Sequence, residues 1–234
     1  MESAAVQKSS PNTHHARSHL FALLAEAFRY PDEEQISLIR EGVLRKELAQ
    51  CLALIAPELK AELNISSLAS AGSGDDLQLE YTRLFDLAAS RRGCSLHMGV
   101  YRGPRMKAME ELLRFYNHFG LSLVEGQSEL PDHITTQLEF LQFLAYCEAE
   151  LVATGQSADD QCRARRDFIA RYPARWLPQL QEKLAKMQAM DYYLNLVGLL
   201  IAVLQQDYRT LAREHGEASL EKVSSELIYT EISG

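Results

Sequence analysis

The sequence predicts an all-α fold, a single-domain bundle of roughly nine to ten helices with a flexible connection near residues 66–76. Three observations point there. Leu and Ala together number 63 of 234 residues, against 17 Val and Ile, and the first pair favours helices while the second favours strands. Apolar residues make up 47% and charged residues 24%, an ordinary globular mixture in a chain long enough to bury a core. Apolar side chains recur at helical spacing along one segment after another, as the elements below show.

Residues 1–12 read as disordered. A first helix is expected over Thr13–Arg29, with Leu20, Leu23, Leu24, Ala27 and Phe28 on its apolar side. Tyr30-Pro31 ends it, because the residue before proline is pushed out of the α region. Shorter helices follow near Asp32–Gly42, Leu44–Ile55 and Pro57–Leu63. Ser66–Asp76 is rich in Ser, Gly and Ala and reads as the flexible connection. Leu77–Leu87 is the next helix, and Arg91–Pro104 a long loop of the kind that often carries function. Arg105–Phe119 is helical and Gly120–Pro131 a loop.

Asp132–Ala153 is a long helix, polar only along Glu139, Gln142, Tyr146 and Glu150, so neighbours should cover it on two faces. Ala158–Arg171 and Trp176–Met187 come next. Met190–Arg213 is apolar nearly all round through Leu196–Leu204 and reads as the central helix, followed by a polar, mobile tail over 214–234.

Charge and length narrow the function. A net charge of −8 argues against a nucleic-acid surface, which needs basic side chains for phosphates. The longest apolar run, Leu196–Leu204, is far short of the ~20 residues that cross a bilayer. Met1–His19 has no apolar signal region, and the four cysteines, Cys51, Cys94, Cys147 and Cys162, read as free thiols of a reducing cytoplasm. Between Phe115 and Cys162 there are eight acids and no Lys or Arg, whereas Arg163–Lys186 is basic. That segregation fits solvated helix faces, or an acidic surface for a basic partner segment.

Few residues suggest catalysis. His15 and His19 stand four apart, and Cys94-x-x-His97 is half a zinc site, but neither has evident further ligands, so no metal and no catalytic group is expected. Asp132-His133 heads the long helix, where Asp132 would cap the N-terminus and hold His133 towards a groove. Tyr81, Leu84 and Phe85 form a cluster at i, i+3, i+4, either a packing ridge or the rim of a pocket.

Two of these segments carry a resemblance. Glu80-Tyr81-Thr82-Arg83-Leu84-Phe85 resembles a (Tyr/Trp)-x-x-Leu-Phe motif. Leu130-Pro131-Asp132-His133, with Leu138-Glu139-Phe140 and Phe143-Leu144, resembles a Pro-Asp-His…Leu-Glu-Phe motif. In that order they are similar to the TorD/DmsD/NarJ family of redox-enzyme maturation chaperones, over about His19 to Tyr208. Between them, Cys94–Met98 and the Arg105–Leu121 run depart from the TorD and DmsD pattern and look more like NarJ. Such a mixture resembles the chaperones of type II DMSO reductase-family molybdoenzymes.

The resemblance implies a non-catalytic, cytoplasmic protein that holds no cofactor stably. Its partner would be the apo catalytic subunit of a molybdenum enzyme, which itself carries molybdopterin guanine dinucleotide. The chaperone would bind that subunit's twin-arginine leader and delay export until the cofactor is inserted. Matching residue by residue, the leader contacts would be Tyr81, Leu84, Phe85, Asp132 and His133. On charge grounds, Glu129 and Glu139 would join Asp132 against the leader's arginines. A monomer is expected, with a domain-swapped dimer open through 66–76. Two rivals are a helical adaptor unrelated to molybdoenzymes and a helical metallohydrolase, whose usual His-Asp order is reversed here.

Overall fold

The computed structural model describes residues 11–62, 65, 68, 74–86, 93–122 and 129–219. Among these, ten α-helices run in the order α1 (Pro11–Ala27), α2 (Glu33–Arg40), α3 (Val43–Ile55), α4 (Pro57–Glu62), α5 (Gly74–Phe85), α6 (Arg105–His118), α7 (Ile134–Ala153), α8 (Asp159–Arg171), α9 (Pro173–Lys186) and α10 (Asp191–His215). Met98–Val100 forms a short 3₁₀ turn before α6. The described residues contain no strand, only one isolated antiparallel bridge, His97 to His133. None of the described helices is long and apolar enough to cross a membrane.

The two longest apolar helices organise the rest. The helix α7 lies along α1 on one side and packs on α8 on another, so its two apolar faces are both covered, as its sequence requires. On the outer side of α1 lies α3, while α10 packs against α8 and α9. One continuous core results, with Phe21, Phe28, Leu141, Phe168, Trp176 and Leu200 almost completely buried.

Several boundaries differ from expectation. Pro11 and Asn12 already belong to α1, so order begins before Thr13; residues 1–10 lie outside the described set. The connection near 66–76 is not flexible throughout. Gly74, Asp75 and Asp76 open α5, and Leu68 is buried in the core; the rest of that stretch lies outside the described residues. Helix α9 starts at Pro173, three residues early, because proline suits a first helical turn whose N–H groups lack partners. Beyond α10 the tail is held as far as Ser219. Arg166 donates to the His215 and Gly216 carbonyls at 2.6 and 2.7 Å, and Arg171 donates to Ser219 O at 2.7 Å. The remainder, 220–234, lies outside the described residues.

The charge segregation has a partly internal meaning. Glu148 of α7 and Arg165 of α8 are buried and paired with each other. Arg165 Nε also donates to Asp207 Oδ2 of α10 at 2.8 Å, and Arg17 Nε of α1 stands 3.0 Å from Asp207 Oδ1. The His14 Nδ1 to Glu148 Oε1 distance is 2.7 Å. Two carboxylates thus face two guanidinium groups, joining four helices in the interior. Burial pushes the Glu148 carboxyl up, but Arg165, His14 and Arg17 outweigh it and hold its pKa far below the carboxylate range. Glu148 is therefore not part of any acidic docking surface.

Removing one partner leaves buried charge without compensation. Arg165→Ala should cost about 3–5 kcal/mol in urea unfolding at pH 7. A loss below about 1 kcal/mol, the range of an exposed pair, would show that water reaches the network.

Candidate functional site

Pro131 and Asp132 form a tight turn into α7, closed by His133 N–H donating to Leu130 O at 3.0 Å. Thr136 Oγ1 donates to the same carbonyl at 3.1 Å, and Tyr116 OH donates to Pro131 O at 2.9 Å. His133 has an extended backbone, and its Nδ1 accepts from Thr135 N–H at 3.3 Å. The helix cap is therefore His133, not Asp132 as expected from sequence.

Asp132 points the other way. His97 Nδ1 lies 3.0 Å from its Oδ1, Gly99 N–H donates to Oδ2 at 3.1 Å, and Arg105 Nε stands 3.5 Å from Oδ2. Asp132 is 0% exposed. It anchors the 93–104 loop from beneath instead of presenting a carboxylate to a partner, which corrects its expected role against leader arginines. A Cβ on Gly99 would lie 2.9 Å from Asp132 Oδ2 and 2.5 Å from Arg105 Cγ, so only glycine permits this approach.

The loop runs directly over the head of α7. Met98 N–H donates to Asp132 O and Ile134 N–H to Leu96 O, both at 2.9 Å, which sets His97 opposite His133. The two imidazoles meet edge to face with centroids 4.8 Å apart. Glu129 Oε2 lies 3.4 Å from His133 Nδ1. Burial, then the neighbouring His97, push the His133 pKa down to about 4 despite the Asp132 charge, so the ring is neutral at pH 7. For Asp132, burial raises the carboxyl, but the hydrogen bonds from His97 and Gly99 prevail and hold it below its usual value.

The first motif meets the second through this loop. Cys94 N–H donates to Leu84 O at the end of α5. Leu84 itself is 0% exposed, a core residue with no surface to offer a partner. Tyr81 and Phe85 are half-buried and lie edge to face, centroids 5.0 Å apart, each also packing on Tyr193 of α10. Tyr81 OH donates to Phe28 O at 3.2 Å, and Tyr30, largely exposed, stacks edge-on against Tyr81. Burial, then the Glu129 charge, push the Tyr81 phenol up to about 12. Glu129 therefore faces both motifs. Glu139 is half-buried and already accepts from Arg29 Nη2 at 2.6 Å.

Other expectations resolve differently. Glu80 and Arg83, within the first motif, are structural: Arg83 grips Glu80, whose Oε1 accepts from Met190 N–H at 2.8 Å at the start of α10. The Cys94 thiol is buried, 3.4 Å from Met187 Sδ, and does not pair with His97. His19 faces Glu47 at 3.4 Å. Sequence reading missed Gly99, Arg29, Tyr30 and Tyr193. His97 was noticed for the wrong partner, since its anchor is Asp132, 35 positions away.

The His133 environment has a stability consequence. An unfolded histidine titrates near 6.5, the folded one near 4. Between those values the unfolded chain binds the extra proton, so stability rises with pH across that window by about 2–3 kcal/mol. His133→Asn retains a capping acceptor and removes the titration. Urea unfolding at pH 4.5 and pH 7 should show a difference smaller by about that amount than in the parent; an unchanged difference would place the titration elsewhere.

Comparison with known proteins identifies the family. Residues 45–182, which include both motifs, match the family described as nitrate reductase delta subunit. The chain is 32% identical over 200 residues to the selenate reductase assembly chaperone protein of Thauera selenatis, covering 84% of this chain and 92% of that one. It is 31% identical over 166 residues to the chlorate reductase assembly chaperone protein of Ideonella dechloratans, covering 70% and 74%. With the perchlorate reductase assembly chaperone protein of Dechloromonas aromatica it shares 29% over 189 residues, covering 79% and 84%. Matched over more than half its length by the family pattern, the chain belongs to the nitrate reductase delta subunit family, the NarJ/TorD group that its two motifs resemble.

Proposed function

We propose that this chain is a cytoplasmic, system-specific assembly chaperone. It binds the apo catalytic subunit of a molybdenum oxidoreductase of the type II DMSO reductase group and keeps it from export until its cofactor is in place. It works by binding, not by catalysis, and the molybdopterin guanine dinucleotide belongs to the client. The observation that carries this reading is family membership, matched along nearly the whole of a curated assembly chaperone.

The client's twin-arginine leader docks on the face where the two motifs converge. Its apolar stretch meets Tyr30, Tyr81 and Phe85, the rings with surface still to bury. Its arginines meet Glu129 and Glu139, which retain 45% and 35% side-chain exposure. Leu84 and Asp132 act from beneath, the first by packing α5 and the second by fixing the loop on which His97 stands. A net affinity on the order of micromolar, about −8 kcal/mol, suits a chaperone that must release its client. Exposed charge pairs are screened over ~10 Å at 0.1 M salt, so association should slow as salt rises.

Two measurements check this reading. Tagged protein expressed in its native host should co-purify with a molybdoenzyme catalytic subunit, identified by mass spectrometry; recovery of unrelated partners alone would favour the adaptor reading. Phe85→Ala should weaken binding of the client's synthetic leader at least fivefold while the helical circular dichroism stays unchanged. Unchanged leader affinity would remove Phe85 from the docking face.

A further inference from the structure

We propose that His97, Glu129 and His133 form a binding site for one divalent transition-metal ion of the zinc type, held by the chaperone without its client. One ligand atom from each of these side chains lies within 4.8 Å of those of the other two. The donors are two imidazoles and a carboxylate, a set zinc uses with its fourth position open. Calcium and magnesium prefer oxygen donors throughout.

The backbone already sets the two rings at ligand spacing. The bridge between His97 and His133, closed by the Met98 and Ile134 N–H groups, fixes both Cα positions. The ring centroids stand 4.8 Å apart. Two imidazoles on one tetrahedral zinc, each nitrogen ~2.0–2.1 Å from the metal, have centroids about 5 Å apart.

His97 is also oriented as a ligand would be. Its Nδ1–H donates to Asp132, which leaves Nε2 with the lone pair. Metal-binding histidines are commonly held by a carboxylate in this way, which fixes the ring and raises its basicity. His133 would bind through Nδ1, the nitrogen that faces Glu129, exchanging its 3.3 Å acceptance of the Thr135 N–H for the ion.

Glu129 supplies the adjustable third arm. It is already 3.4 Å from His133 Nδ1, close to the ~3.3 Å that separates ligand atoms around tetrahedral zinc. The ligand atoms lie within 4.8 Å of one another, so closing the set takes at most about 1.5 Å of movement, which a half-exposed glutamate provides. The Arg29 charge reaches His133, but both nearby guanidinium groups are committed to carboxylates. Arg29 is paired with Glu139 at 2.6 Å and Glu26 at 3.1 Å, and Arg105 addresses Asp132 through Oδ2, while His97 uses Oδ1. His97 and Glu129 keep 25% and 45% side-chain exposure, so the fourth position opens to solvent. A bound ion would pin the 93–104 loop to the head of α7.

The test uses the full chain after chelator treatment. Titration with zinc alone, in competition with a chromophoric chelator, should show one equivalent per chain. Glu129→Gln, at an exposed position, should weaken binding at least tenfold, His97→Ala further, and His19→Ala not at all. Cobalt(II) loaded in place of zinc should give visible d–d bands without a thiolate charge-transfer band. Three results would overturn the site: no zinc held above a protein-free control, affinity unchanged in both Glu129→Gln and His97→Ala, or a thiolate band that places the metal on a cysteine.

Discussion

The structure depends first on a balanced set of charges inside it. Arg165 is buried between Glu148 and Asp207, with Arg17 closing the set from α1. Each ion alone would cost several kcal/mol to bury, and only the complete arrangement makes the interior tolerable to any of them. That requirement fixes the relative positions of α1, α7, α8 and α10, because no helix can slide by a turn without stranding a charge. Hydrophobic packing supplies the driving force here, and the ions supply the register.

The helix α7 transmits that register to the end where the two motifs converge. Glu148 and His133 are 15 positions apart, so about 22 Å of rigid helix separates the ion network from the loop contacts. At the far end the polar side chains serve the same purpose on a smaller scale. Asp132 spends its oxygens on His97, Gly99 and Arg105, and so fixes a loop whose described residues hold only one short turn and the bridge at His97. A long loop held by a buried carboxylate sets His97 against His133 and Glu129, which stand at the head of α7. The aromatic side of the face is built differently. Tyr81 and Phe85 rest on Tyr193 of α10, so its shape is set by ring packing and not by charge.

Much of this was legible in the sequence, for physical reasons. Leu and Ala content and three-to-four spacing gave the helices, because helical packing needs an apolar stripe. The two apolar sides of α7 announced that neighbours would cover it on two faces. What stayed hidden depends on long-range pairing. Helical spacing sets Glu150 on the polar strip and Glu148 off it, but what lets a carboxylate sit on the buried side, its partners at positions 14 and 165, is not local. Asp132 looked like a helix cap because its position is right for one, yet His133 took that role and freed Asp132 for the loop. Tyr81, Leu84 and Phe85 looked equivalent by spacing, but Leu84 turns fully into the core while the two rings keep an edge at the surface. Periodicity finds the face of a helix; it does not say which residue on that face meets solvent.

The central claim is that a client polypeptide docks where the two motifs converge, and hydrogen–deuterium exchange on the chaperone with and without its client's leader measures it most directly. Binding should slow exchange in the segments around 28–30, 81–86, 93–98 and 129–139 and leave the α8 and α10 amides near Arg165 and Asp207 as they were. Protection confined to the opposite end of α7, around Glu148 and beyond, with none at the converging motifs, would contradict it.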